Sequence, residues 1–132
     1  MGARNAEGGG DPSDDLRGRT KAFALRVIRL VEALPRGRTA DVIGRQVLRS
    51  ATSVAANYRS ARRARSSAEF ISKLGIVEEE ADETLLWLEL LTESGVVDPA
   101  RLGDLLTEAD QLVAIMVASL KTAKANRKRS EQ

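Results

Sequence analysis

The chain has no cysteine and no histidine, and among its 132 residues only four are aromatic and three are proline. The first two absences remove disulfides, thiolate nucleophiles, His-based triads, imidazole acids and bases, and zinc sites of the usual ligand types. Most enzyme classes are thereby disfavoured, and the sequence leads us to expect no catalytic residue, no metal site and no cofactor. Long apolar runs are also missing. The longest uncharged stretches reach about ten residues, against about twenty needed to span a bilayer. No apolar signal-peptide core follows Met1. A cytoplasmic protein with no membrane partner is the expectation.

What remains is 42% apolar and 30% charged. At this length roughly two-thirds of the unfolded chain's surface can be buried, which is enough for one core without staples. The net charge of +2 conceals an uneven distribution. Residues 1–65 carry 14 Lys/Arg against 6 Asp/Glu, and residues 66–120 carry 2 against 12. From residue 121 onward 5 basic residues face Glu131 alone. The folded molecule is therefore expected to have sides of opposite sign.

Residues 1–12 are Gly-rich and without periodic apolar positions, which reads as a flexible N-terminal arm. From Ser13, a plausible cap followed by two aspartates, apolar residues recur at Leu16, Phe23, Val27, Leu30 and Leu34 until Pro35. After the turn 35–38, Thr39 is the expected cap of a second helix running to about Arg65, with Ile43, Val47, Ala51, Val54 and Tyr58 on its buried stripe. Ser66 and Glu69 form a capping-box pattern ahead of Phe70, Leu74, Val77, Ala81, Leu85 and Leu88. Gly95 closes that third helix. Asp98-Pro99 then opens a fourth, with Leu102, Leu105, Leu106, Ala109, Leu112, Val113, Met116 and Leu120 facing inward. No strand alternation occurs. The fold class is all-α, an up-down-up-down antiparallel four-helix bundle over residues 13–122, followed by a solvated basic C-terminal tail at 123–132.

Two features exceed what such a bundle requires. At 100° per residue Arg38, Arg45, Arg49, Thr52, Arg59 and Arg63 fall within about 80° of one another, opposite the buried stripe, and Arg62 and Arg65 extend the ridge. One reading is a solvated face with ion pairs to the glutamates of helix three. The other is a surface that tracks the phosphates of a nucleic acid nonspecifically, since no aromatics are interleaved for base readout. The second feature is on helix three, where Ile76, Leu86, Trp87 and Leu90 point away from the main stripe. They read either as a protein–protein contact anchored by Trp87, or, for Trp87, as a cap on one end of the core.

The acidic run Glu78, Glu79, Glu80, Asp82 and Glu83 lacks the histidine that completes carboxylate metal centres in bundles, so it reads as a solvated or Arg-paired face. Gln46, Ser50, Ser53 and Asn57 are expected to meet Glu78 or Glu79 in a polar layer that sets register. Gly44 and Gly75 lie inside helices and suggest close helix approach. No phosphate-cradling glycine loop is present.

The run Gln46-Val47-Leu48-Arg49-Ser50-Ala51-Thr52-Ser53-Val54-Ala55-Ala56-Asn57, followed by Ala68-Glu69-Phe70 and the Glu- and Leu-rich third helix, resembles a bacterial four-helix-bundle family. Its members include proteins encoded in intervening sequences of large-subunit ribosomal RNA genes, and a related branch contains the accessory variability proteins of diversity-generating retroelements. The resemblance covers residues 16–122. It departs where Tyr58-Arg59-Ser60 stand in place of Ala-Glu-Gly. The resemblance implies a homopentameric ring without enzymatic activity. By analogy with the retroelement branch, it also implies a positively charged assembly that binds nucleic acid and a reverse transcriptase, with Arg45, Arg49, Arg59, Arg62 and Arg63 as contacts. Taken together, the expected function is a noncatalytic homo-oligomer that binds RNA or DNA through Arg38, Arg45, Arg49, Arg59, Arg62 and Arg63 and self-associates through Ile76, Trp87 and Leu90. The alternative is a protein-interaction adaptor with no nucleic-acid role.

Overall fold

The computed structural model describes residues 12–131 and consists of α1 (Pro12–Glu32), α2 (Arg38–Arg62), α3 (Ser67–Glu93) and α4 (Pro99–Ser130), with no strand among the described residues. The arm expected over residues 1–12 lies, but for Pro12, outside them. So do the side chains on which the Ser13 cap depends; the helix itself already begins at Pro12.

Local chemistry accounts for the turns. Gly37 precedes α2 at φ 155°, ψ 157°, a conformation open to glycine and closed to residues with a Cβ. The helix therefore starts at Arg38, one residue before the Thr39 expected as its cap, and no side chain caps it. At the next turn Ser66 Oγ accepts the N–H of Glu69 at 3.0 Å, as the capping box requires. The return bond is displaced by one residue, with Glu69 Oε1 accepting the N–H of Arg65 at 2.6 Å. Helix α2 ends at Arg62 rather than Arg65, its last turn closed by the N–H groups of Arg63 and Ala64 on the Ser60 and Ala61 carbonyls, each at 3.1 Å. Gly95, at φ +83°, terminates α3 in the left-handed region, and its N–H meets the Thr92 carbonyl at 3.1 Å. Asp98 caps α4 by accepting from Ala100 N at 3.0 Å, with Pro99 in the first turn. Helix α4 continues to Ser130, well past the last core residue, Leu120, so Lys124, Arg127, Lys128 and Arg129 ride on helix. Apolar periodicity marks where packing stops, and a helix rich in Ala, Lys and Arg carries on without it.

Consecutive helices pack antiparallel, and α4 returns to α1 along a thinner seam. The core falls into two apolar clusters stacked along the axis. One includes Phe23, Val27, Val47, Leu88, Leu91 and Leu112; the other includes Val54, Tyr58, Leu74, Val77 and Met116. Three polar residues, Thr20, Ser50 and Thr84, are buried in the same interior. Ser50 Oγ and Thr84 Oγ1 are 2.8 Å apart, and the second hydroxyl proton of the pair reaches a carbonyl, that of Glu80 or of Val47. Thr20 bonds its own helix at Leu16 O, 2.8 Å away. The polar layer expected of α2 thus forms through Ser50, but its partner is Thr84 and neither Glu78 nor Glu79. Asn57 turns back to Ser53 instead, at 2.9 Å from its carbonyl, and Gln46 accepts from Arg49.

The thin α1–α4 seam is closed by a bidentate ion pair that the sequence did not reveal. Arg19 Nε lies 2.7 Å from Glu108 Oε2, Arg19 Nη2 lies 2.8 Å from Glu108 Oε1, and Nη2 also reaches Gln111 at 2.6 Å. The guanidinium hydrogen bonds hold the Glu108 carboxyl below its ordinary pKa, against the opposing effect of burial. Of the two interior glycines, only Gly44 marks a close approach: a Cβ there would lie 2.9 Å from Leu34 Cδ1. Gly75 has nothing within 4 Å, which overturns the close-approach reading at that position.

Gly75→Ala should stabilise the fold by about 1 kcal/mol through helix propensity alone, read as a rise of roughly 3–6 °C in thermal midpoint; Gly44→Ala should gain less, because Leu34 must move. Because the pKa of Glu108 is lowered on folding, its contribution is present above the unfolded-state value near ~4.3 and is lost as pH falls through the folded value. Arg19→Met should therefore cost about 1 kcal/mol at neutral pH, and thermal melts of variant and parent should converge in acid.

Candidate nucleic-acid interface

The arginines of α2 differ in what surrounds them. Arg45 pairs with Asp41 one turn earlier at 2.6 Å, both side chains well exposed. Arg49 leans across to α3, where it meets Glu80 at 3.2 Å and also pairs with Glu83. Glu83 Oε2 in turn accepts the indole N–H of Trp87 at 3.0 Å. The ion-pair reading of the ridge thus holds at Arg49, whose charge is answered within the chain. Arg38 sits exposed on the first turn of α2.

Toward the other end of α2 the balance changes. Arg59, Arg63 and Arg65 line a shallow hollow of about 600 Å³ together with Ala56, Ser60, Glu69 and Lys73. Four cations surround one carboxylate, and Glu69 is engaged with the Arg65 N–H. Arg62 lies on the far side of the same turn, in a second hollow with Ser66, Phe70 and, from α4, Ala123 and Asn126. The last turns of α4 therefore stand beside the α2–α3 turn and bring Lys124, Arg127 and Lys128 to the same end of the bundle. Of these, Arg127 pairs with Glu131 at 3.0 Å. The result is a basic pole where the sequence suggested a basic ridge. Lys73 belongs to this pole and was missed, because in sequence it opens the acidic helix. The hairpin turn alone brings it back beside Arg59 and Arg63.

The residues expected to form an apolar contact do not share one environment. Ile76 and Leu86 are exposed, at 38% and 47%. Trp87 is half-buried against the core cluster that contains Phe23 and Leu112, and Leu90 is half-buried. A further apolar surface, not foreseen, is a groove of about 350 Å³ between α1 and α2. Ala24, Leu25, Ile28, Ala55 and Ala56 form its floor, with Arg17, Lys21 and Arg59 around it. The signal for it was present in Leu25 and Ile28, which lie off the Phe23–Val27 stripe of α1. Among the described residues no group of three or more metal-ligating side chains converges, and no helix is long and apolar enough to cross a membrane.

A family model described as 23S rRNA-intervening sequence protein matches residues 15–118. Among solved structures, the chain is similar to a protein of unknown function from the S23 ribosomal protein family of Bacteroides thetaiotaomicron. The two are 31% identical, the match covers 83% of this chain and 97% of that one, and the TM-score is 0.77. No curated protein matches significantly.

Proposed function

The chain belongs to the 23S rRNA-intervening sequence protein family, and from that membership and its charge map we propose that it is a noncatalytic, homo-oligomeric bundle that binds nucleic acid at its basic pole. The observation that carries this reading is the cluster of Arg59, Arg63, Arg65 and Lys73 around one hollow with a single, already engaged carboxylate. Guanidinium and ammonium groups so placed attract a polyanion by charge and counterion release, and without aromatic side chains among them they read no base. Repetition of the pole around a ring, pentameric as the family resemblance implies, multiplies weak contacts into avidity. Such a surface suits an accessory to an enzyme that acts on RNA or DNA, a reverse transcriptase among them. Of the contacts proposed along α2, Arg59 and Arg63 face that hollow, and Arg62 lines a second hollow on the other side of the same turn. Arg38 is peripheral, and Arg45 and Arg49 are engaged by Asp41, Glu80 and Glu83. The exposure of Leu25, Ile28 and Leu86 favours a second activity, protein contact, and the two are compatible in one molecule.

The test is a titration of single-stranded RNA and duplex DNA at two salt concentrations. Charge reversal of Arg63, Arg65 and Lys73 is expected to abolish measurable binding at moderate salt, and neutralising them should flatten the logarithmic salt dependence by about 2 on single-stranded RNA and about 3 on duplex DNA. Reversal of Arg38 and Arg45 should change affinity less than threefold. Equal sensitivity of the two sets, or no binding by the parent, overturns the proposal.

A further inference from the structure

Outer α3 carries a stripe that has no use within its own bundle. Counted at 100° per residue, Ile76, Glu79, Asp82, Leu86, Leu90 and Glu93 fall within about 120° of one another. Ile76 and Leu86 are exposed and Leu90 is half-buried, and Glu79, Asp82 and Glu93 make no hydrogen bond or ion pair among the described residues. The stripe is an acidic, apolar rod about 21 Å long between Ile76 and Leu90.

The groove between α1 and α2 has the complementary character. Leu25 is 42% exposed and Ile28 37%, and Arg17, Lys21 and Arg59 around them make no ion pair among the described residues. From Arg17 to Ile28 the groove runs about 16 Å along α1. An apolar floor of four or five aliphatic side chains offers nothing to a sugar-phosphate chain, whereas it fits leucines on a helix, with cations spaced to meet flanking carboxylates.

We infer that the α3 stripe of one copy docks in the α1–α2 groove of the next, an inference that rests on the oligomeric half of the proposed function. The two faces belong to different helices, so the joint is heterologous: each subunit offers a groove on one side and a stripe on the other. Repetition of such a joint closes into a ring when the rotation permits. Trp87 is not the anchor of this contact; Leu86, 47% exposed, is. Arg59 stands where the groove meets the basic pole, and in the assembly it is shared with the neighbour's carboxylates, which leaves Arg63, Arg65 and Lys73 as the cations wholly available to a polyanion.

The experiment is sedimentation velocity of the full chain and three charge variants, with circular dichroism confirming that each remains helical. Arg17→Glu with Lys21→Glu reverses the groove without touching the basic pole, and Glu79→Lys with Asp82→Lys reverses the stripe. Either pair is expected to weaken self-association by roughly a hundredfold, and all four changes in one chain should restore the parent's oligomer, which a misfolded variant does not do. An oligomer unaffected by either pair overturns the joint while leaving oligomerisation, and the nucleic-acid reading, intact. A parent chain that sediments as a monomer overturns both the joint and the oligomeric half of the proposed function. If, in addition, the groove variant alone loses RNA binding, the groove is assigned to a polyanion instead.

Discussion

The register between α2 and α3 governs where charge ends up on this molecule. It is marked by the contact of two buried hydroxyls, Ser50 and Thr84. With that pair in place, Arg49 falls against Glu80 and Glu83, and the central arginine of α2 is neutralised. Counting equally outward in both directions, residues 59–63 of α2 come to lie opposite residues 71–75 of α3, a segment whose only charged side chain is Lys73. The acid of α3 thus faces the middle of α2, and Glu69 is the one carboxylate of α3 in the hollow at its end. A buried hydroxyl pair adds little net stability over apolar residues of the same shape. It does penalise registers that would leave either hydroxyl without a partner, and here register decides the surface.

Arg19 and Glu108 join α1 to α4 along the seam with the fewest side chains between helices, and partial burial makes that pair stronger than an exposed one. Trp87 spends its N–H on Glu83, which ties the indole to the same network that holds Arg49. An aromatic residue committed in this way to its own chain leaves the exposed leucines and isoleucines to meet other surfaces.

The sequence made the helices and much of the core legible because apolar spacing and capping chemistry are local. Ser66, Gly95 and Asp98 act where their types suggested, and the expected stripe of α4 is buried or half-buried along its whole length. What stayed illegible depends on which residues of different helices face one another. Ser50 offered a polar layer but not its partner, and nothing in the sequence links Arg19 to Glu108, 89 positions away. The basic surface was visible as a periodic set on α2, and periodicity alone could not say that Arg49 turns toward α3 or that Lys73 joins the far end. Gly75 looked like Gly44 in sequence, and only the neighbouring helices distinguish a tight contact from open space.

If nucleic acid binds where the cations gather, polyanion contact is confined to the end of the bundle shared by α2, α3 and α4. Backbone amide shifts followed during titration of an isotopically labelled chain with a short RNA test it most directly. Shifts clustered at residues 59–73 and 121–129, with little change around Arg45 and Arg49, are the expected result. Shifts spread evenly along α2, or centred on its first two turns, would contradict it.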